Sequence, residues 1–229
     1  MFTSLLIVIA FISSFAAIIL LRPLAVKVGL VDKPTARKAH VGHIPLIGGV
    51  SVYIGLLVAS MLVLIFSPYH VEQLITYLFA SLLMVITGAL DDRFDLSVRV
   101  RIVVQVVIAS IMMFVAGNAI FSLGNLLSFG ELSLWYFAYP FTVIAVLGAI
   151  NAYNMVDGID GLIGGVSLST FATLSILFFL SGDVSEAIFC LLCVAVLTPY
   201  LIYNLQLFVF NHKKIFMGDA GSMFIGFTV

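Results

Sequence analysis

Apolar runs of near-membrane length follow one another along this chain, at about 3–21, 46–66, 73–90, 102–120, 134–150, 162–180 and 187–209, with an eighth beginning near Met217. Each is close to the roughly 20 residues that an α-helix needs to cross a bilayer. A soluble core built from 229 residues cannot take up this much apolar surface: 63% of the chain is hydrophobic, 20 residues are Phe, and only 9% are charged. The expected fold is therefore all-α, a polytopic membrane bundle with seven full spans and the start of an eighth. The first run has no basic segment before it and no small-residue cleavage site after it, so it reads as a span and not as a signal peptide.

Charge placement orients the bundle. All ten Lys and Arg residues fall in three segments, Arg22 to Lys38, Arg93 to Arg101, and Lys213 to Lys214, which follow runs one, three and seven. The loops on the other side, with His70 and Glu72, Glu131, and Asp183 and Glu186, carry neither Lys nor Arg. The positive-inside rule then makes the basic side cytoplasmic and the N-terminus external. We read residues 1–229 as a single transmembrane domain with cytoplasmic loops near 22–45, 91–101, 151–161 and 210–218. A net charge of −1 suggests no nucleic-acid partner. Cys190 and Cys193 form a CxxC inside an apolar run with no second pair, which points to packing and not to metal or redox chemistry.

Carboxylates gather on the basic side. In "GALDDRFDLSVRVR" (88–101), Asp91 and Asp92 are neighbours, and neighbours on a helix point about 100° apart. One of them can bind a divalent cation or act as a base while the other orients a neighbour; Mg²⁺, which takes one or two carboxylates plus substrate phosphates, suits such a pair. The alternative is an ion-pair cluster with Arg93, Asp95, Arg99 and Arg101. In "NAYNMVDGIDGL" (151–162), Asn151, Asn154, Asp157 and Asp160 recur every third residue and can line one side of a cleft, while Gly158, Gly161, Gly164 and Gly165 argue for a turn. Gly161 to Gly165 also reads as a GxxxG packing signal. Carboxylates at membrane depth are costly, which favours function over a simple helix cap. In "HKKIFMGDAGS" (212–222), Asp219 lies where a helix begins, so it either caps that helix or belongs to a turn that offers N–H groups, with Lys213 and Lys214, to a phosphate or sugar. The loop 31–49 adds Lys33, Arg37, Lys38, His40 and His43, suited to a diphosphate or simply to anionic lipid.

Together, "RKAHVGHIPLIGG", "GALDDRFDLSVRVR", "NAYNMVDGIDGLIGG" and "FMGDAGS" resemble, in this order, the motifs of the polyprenyl-phosphate N-acetylhexosamine-1-phosphate transferase family. Within it, "NAYNMVDGIDGL" and "IPLIGG" are closer to the branch that uses undecaprenyl phosphate and UDP-N-acetylglucosamine than to the branch acting on UDP-MurNAc-pentapeptide. The resemblance implies transfer of N-acetylglucosamine 1-phosphate from UDP-N-acetylglucosamine to undecaprenyl phosphate with release of UMP. That reaction would initiate a lipid-linked glycan of the O-antigen, enterobacterial common antigen or teichoic-acid type, at the cytoplasmic face of the bacterial inner membrane. It implies Mg²⁺, with Mn²⁺ as a substitute, held by Asp91 or Asp92 with Asp157 or Asp160. Asp91, Asp92, Asp157 and Asp160 become the catalytic set, and Asn154, Asp219, Lys33 and Arg37 contact substrate. Homodimerisation is a further implication.

Family members have about 10 to 11 spans and a His-rich motif in a later cytoplasmic loop, which is missing here. The expectation is a chain that forms the N-terminal part of a longer transferase. Another UDP-N-acetylhexosamine donor is the runner-up within the enzyme class. A secondary transporter is the rival from another class; it needs ionisable groups near mid-span, whereas every Asp and Glu here falls at or beyond the end of an apolar run.

Overall fold

The computed structural model describes residues 2–32, 42–66, 71–126, 128, 130–207 and 213–229. Among them are eight α-helices: α1 (Phe2–Val28), α2 (Gly48–Phe66), α3 (Val71–Phe94), α4 (Val98–Phe114), α5 (Ala138–Val156), α6 (Leu162–Ser181), α7 (Val184–Asn204) and α8 (Gly218–Thr228). A two-residue antiparallel pair, β1 (Val31–Asp32) and β2 (Ile44–Pro45), links α1 to α2, with Val31 opposite Pro45. A single 3₁₀ turn, Trp135–Phe137, leads into α5.

Six helical segments, all but α4 and α8, are long and apolar enough to cross a membrane. They carry apolar side chains around their circumference, as helices do when one face packs on protein and the other meets lipid. On α1, for example, Leu6, Ala10 and Ile18 are buried while Leu5, Ile12 and Leu20 are exposed. The fourth apolar run departs from the expected length. It forms a helix of 17 residues that starts earlier, behind Ser97, whose hydroxyl accepts from the N–H of Val100, and ends at Phe114. The sequence after it reaches Gly117 and Asn118, both poor helix residues, which explains the early stop. The CxxC lies within α7, and both thiols are free, buried and part of the main apolar core.

The shortest helix sits deepest. Every residue of α8 from Gly218 to Gly226 except Asp219 is buried, and the helix is wedged between α2, α3 and α5. That wedge depends on absent side chains: a Cβ on Gly49 of α2 would collide with the backbone of Gly221, and one on Gly88 of α3 with the backbone of Ala220. A backbone splice holds the same junction. The N–H groups of Gly48 and Gly49 donate to the carbonyls of Phe216 and Met217 at 2.9 and 3.0 Å, and the Phe216 N–H donates to the Pro45 carbonyl at 3.0 Å. "IPLIGG" and "IFMGDAG", some 170 residues apart in sequence, thus form one structural unit at the same end of the bundle as the 157–161 turn.

Candidate active site

A cleft of about 1460 Å³ opens at this end of the bundle. Asp91 and Asp92 from the end of α3, Asn154 from the end of α5, Asp157 and Asp160 from the turn after it, and Asp219 from the start of α8 all line it. His43, Asp32 and Asp95 line it too. Asn151 does not: its amide donates to Gln105 Oε1 at 3.2 Å and to the Leu147 carbonyl at 2.7 Å, so it ties α5 to α4. Lys33, Arg37, Lys38 and His40 lie outside the described residues.

Adjacent aspartates on α3 do different things. Asp91 turns inward: its Oδ2 accepts from Arg101 Nη1 at 2.7 Å and its Oδ1 from the Leu96 N–H at 2.8 Å, which fastens α3 to the start of α4. Asp92 turns toward α8, where Oδ1 and Oδ2 accept from the N–H groups of Asp219 (2.9 Å) and Ala220 (3.2 Å). A carboxylate placed on the free N–H groups of a helix start satisfies them and complements the helix dipole. The start of α8 is therefore capped from another helix. Asp219 is not its own helix's cap, and two of the N–H groups that the sequence suggested for a phosphate belong to Asp92. Gly218 makes the approach feasible, since it adopts a φ of +73° and a Cβ there would come within 2.6 Å of Asp92 Oδ2.

Asp219 instead faces the cleft. Its Oδ1 accepts from Asn154 Nδ2 at 2.6 Å, and the same amide reaches Ser222 Oγ at 3.0 Å. Asp157 lies close by. Burial raises its pKa to about 8, the negative charges of Asp219 and Asp92 push in the same direction, and a backbone hydrogen bond with Gly218 opposes them. Asp160, further out, pairs with Lys214. Among the described residues no three His, Cys, Asp or Glu side chains form a ready-made metal cage. Mg²⁺ does not require one, because one or two carboxylates with waters and substrate phosphates suffice. The crowded carboxylates around Asp157 fit a cation of that kind, which would relieve their repulsion.

One residue that the sequence reading passed over holds the cleft together. Asn204, buried at the end of α7, accepts from the Gly161 N–H at 2.6 Å and donates to the Ile215 carbonyl at 3.0 Å. It joins the Asp157–Asp160 turn to the strand of chain that leads into α8. Its signal in the sequence was a lone amide closing the apolar run "LTPYLIYN". The GxxxG pair divides: Gly164 packs on Leu201 and Tyr200, and Gly161 on Leu205, but Gly165 faces open space.

The chain is similar to known proteins along most of its length. The chain is 45% identical over 212 residues to the undecaprenyl-phosphate alpha-N-acetylglucosaminyl 1-phosphate transferase of Salmonella typhi, covering 93% of this chain and 56% of that protein. It is 45% identical over 218 residues to the protein of that name from Yersinia pestis, 95% of this chain and 58% of the relative. For the Haemophilus influenzae relative the identity is 40% over 221 residues, 96% and 61% of the two chains. The chain thus spans less than two thirds of the length of these relatives. Residues 74–229, which run from within α3 to the end of α8 and include every aspartate from Asp91 onward, match the profile of glycosyl transferase family 4, and the chain belongs to that family.

Proposed function

We propose that the protein to which this chain belongs transfers N-acetylglucosamine 1-phosphate from UDP-N-acetylglucosamine to undecaprenyl phosphate and releases UMP. The observation that carries the reading is the convergence of three separate motifs, at Asp91–Asp92, Asn154–Asp160 and Gly218–Asp219, on one cleft at one end of a membrane bundle. The names of the 40–45% identical relatives support the donor and acceptor. A carrier lipid keeps its phosphate at the membrane surface and a nucleotide sugar comes from water, so the reaction needs its charged groups at a span end. The three basic segments support a cytoplasmic location for that end, in a bacterial inner membrane.

In the reaction an oxygen of the lipid phosphate attacks the β-phosphorus of the donor, and the bond from that phosphorus to the bridging oxygen breaks as UMP leaves. Mg²⁺ or Mn²⁺, when bound, neutralises charge on the diphosphate. Asp157 and Asp219 would hold the cation beside Asp91 and Asp92, whose carboxylate oxygens each accept one hydrogen bond and keep a lone pair free. Asp91 and Asp92 also set the position of Asp219 by holding α4 and α8 against α3. Asn154 fixes the Asp219 carboxylate. Asp160 and Lys214 face each other at the mouth, where the lysine can meet a phosphate. Lys33 and Arg37 complete the substrate contacts in this reading. An acceptor phosphate monoester has a second pKa of about 6, so it is mostly dianionic at neutral pH and asks little of a base. Positioning and charge neutralisation supply the rate. A transporter is disfavoured because none of the eleven acidic residues sits at mid-span. Asp157→Asn in the whole protein should abolish transfer while the variant still elutes as a folded species in detergent. Retained transfer would remove Asp157 from the site.

A further inference from the structure

At the opposite end of the bundle from the cleft, α4 stops at Phe114 and α5 begins after Trp135–Phe137; the described residues between them are mostly irregular. Trp135, Tyr136 and Phe137 stand side by side, 78%, 90% and 75% exposed. Phe114 stacks on Tyr139 with ring centroids 5.4 Å apart, and Phe121 meets the same Tyr139 edge-on at 6.0 Å, so the ends of both helices and the linker share one aromatic collar. Glu131 is the single charged residue from 102 to 156.

From these aromatics and this backbone we infer that the described residues between 114 and 139 form an anchor that lies in the headgroup layer of the membrane, with Trp135, Tyr136 and Phe137 inserted among the lipids. Two constraints exclude the other depths. Three adjacent exposed aromatic side chains are unfavourable in water. The irregular backbone around Asn118, Ser122 and Asn125 cannot sit in hydrocarbon, where polar groups outside regular structure lack partners. The linker is only partly self-satisfied, through bonds such as Leu123 N–H to the Leu132 carbonyl at 3.0 Å and Leu134 N–H to the Phe121 carbonyl at 2.8 Å. Only the interface accepts both features, and Trp and Tyr partition there because the ring is apolar and its N–H or O–H is not. The placement also agrees with α5, whose candidate membrane-crossing stretch starts at Trp135. The inference rests on the membrane-spanning character of the chain and not on the proposed transfer.

Trp135 is the chain's only tryptophan, which makes the depth measurable. The protein is reconstituted into phosphatidylcholine–phosphatidylglycerol vesicles whose acyl chains carry bromine either near the glycerol or near the methyl end. The fluorescence difference between wild type and Trp135→Phe isolates the residue. The anchor predicts blue-shifted emission that bromine near the glycerol quenches at least about twofold more than bromine near the methyl end, with weak quenching by acrylamide, as expected for an interfacial ring. Strong acrylamide quenching without bromine quenching would place Trp135 in water. Quenching by neither agent would place it against protein, such as a second copy, and stronger quenching by deep bromine would place it in hydrocarbon; each of these results overturns the inference.

Discussion

Asp157 keeps company with Asp219 and Asp92, and its pKa of about 8 follows from burial and, after it, from that crowding. The folded state holds a proton that the unfolded chain, with an ordinary value of 3.8, would lose. That contribution to stability is complete below pH 3.8 and disappears as pH rises through about 8. In EDTA, the thermal midpoint should therefore decline between about pH 4 and 8, and Asp157→Asn should flatten the decline; an unchanged slope in the variant would assign the titration elsewhere. Asn204 makes a second prediction. Asn204→Leu leaves the Gly161 N–H and the Ile215 carbonyl without their partner and should cost about 1–3 kcal/mol in detergent unfolding, with a loss of transfer in the whole protein. The acidic residues of the cleft were legible because ionisable groups stand out against apolar runs. Their division of labour was not, since the partners of Asp92 lie 127 and 128 residues away and Asn204 carries no charge to draw attention to it.

At the scale of elements, the apolar runs predicted the helices well, and the Gly-rich stretch after Val156 became the expected turn between α5 and α6. The length of α4 and the burial of α8 were not readable from hydropathy, which reports how apolar a segment is and not what it packs against. The glycines at 49, 88 and 221 record that packing, but only the structure pairs them. Gly49→Val should prevent α8 from seating and, as overpacking of a tight contact, cost at least about 1–3 kcal/mol. Gly165→Ala, where nothing stands within 4 Å of the added methyl, should be tolerated or stabilise α6 by roughly 0.5–1 kcal/mol. Detergent size-exclusion profiles after graded heating compare the two; equal behaviour would contradict the close α2–α8 contact.

For the whole molecule, the bundle gathers the aspartates of the cleft at one end and its aromatic collar at the other, with apolar helices between. Such a polarity suits an enzyme that meets a soluble nucleotide sugar and a membrane-held phosphate at one surface. The most direct test uses the whole protein in detergent with undecaprenyl phosphate, UDP-N-acetylglucosamine labelled in the sugar, and Mg²⁺, following label into the lipid and release of UMP. Label should enter the lipid with one UMP released per transfer, and EDTA should stop both. Absence of transfer from this and every other UDP-N-acetylhexosamine, in protein that remains folded, would contradict the account.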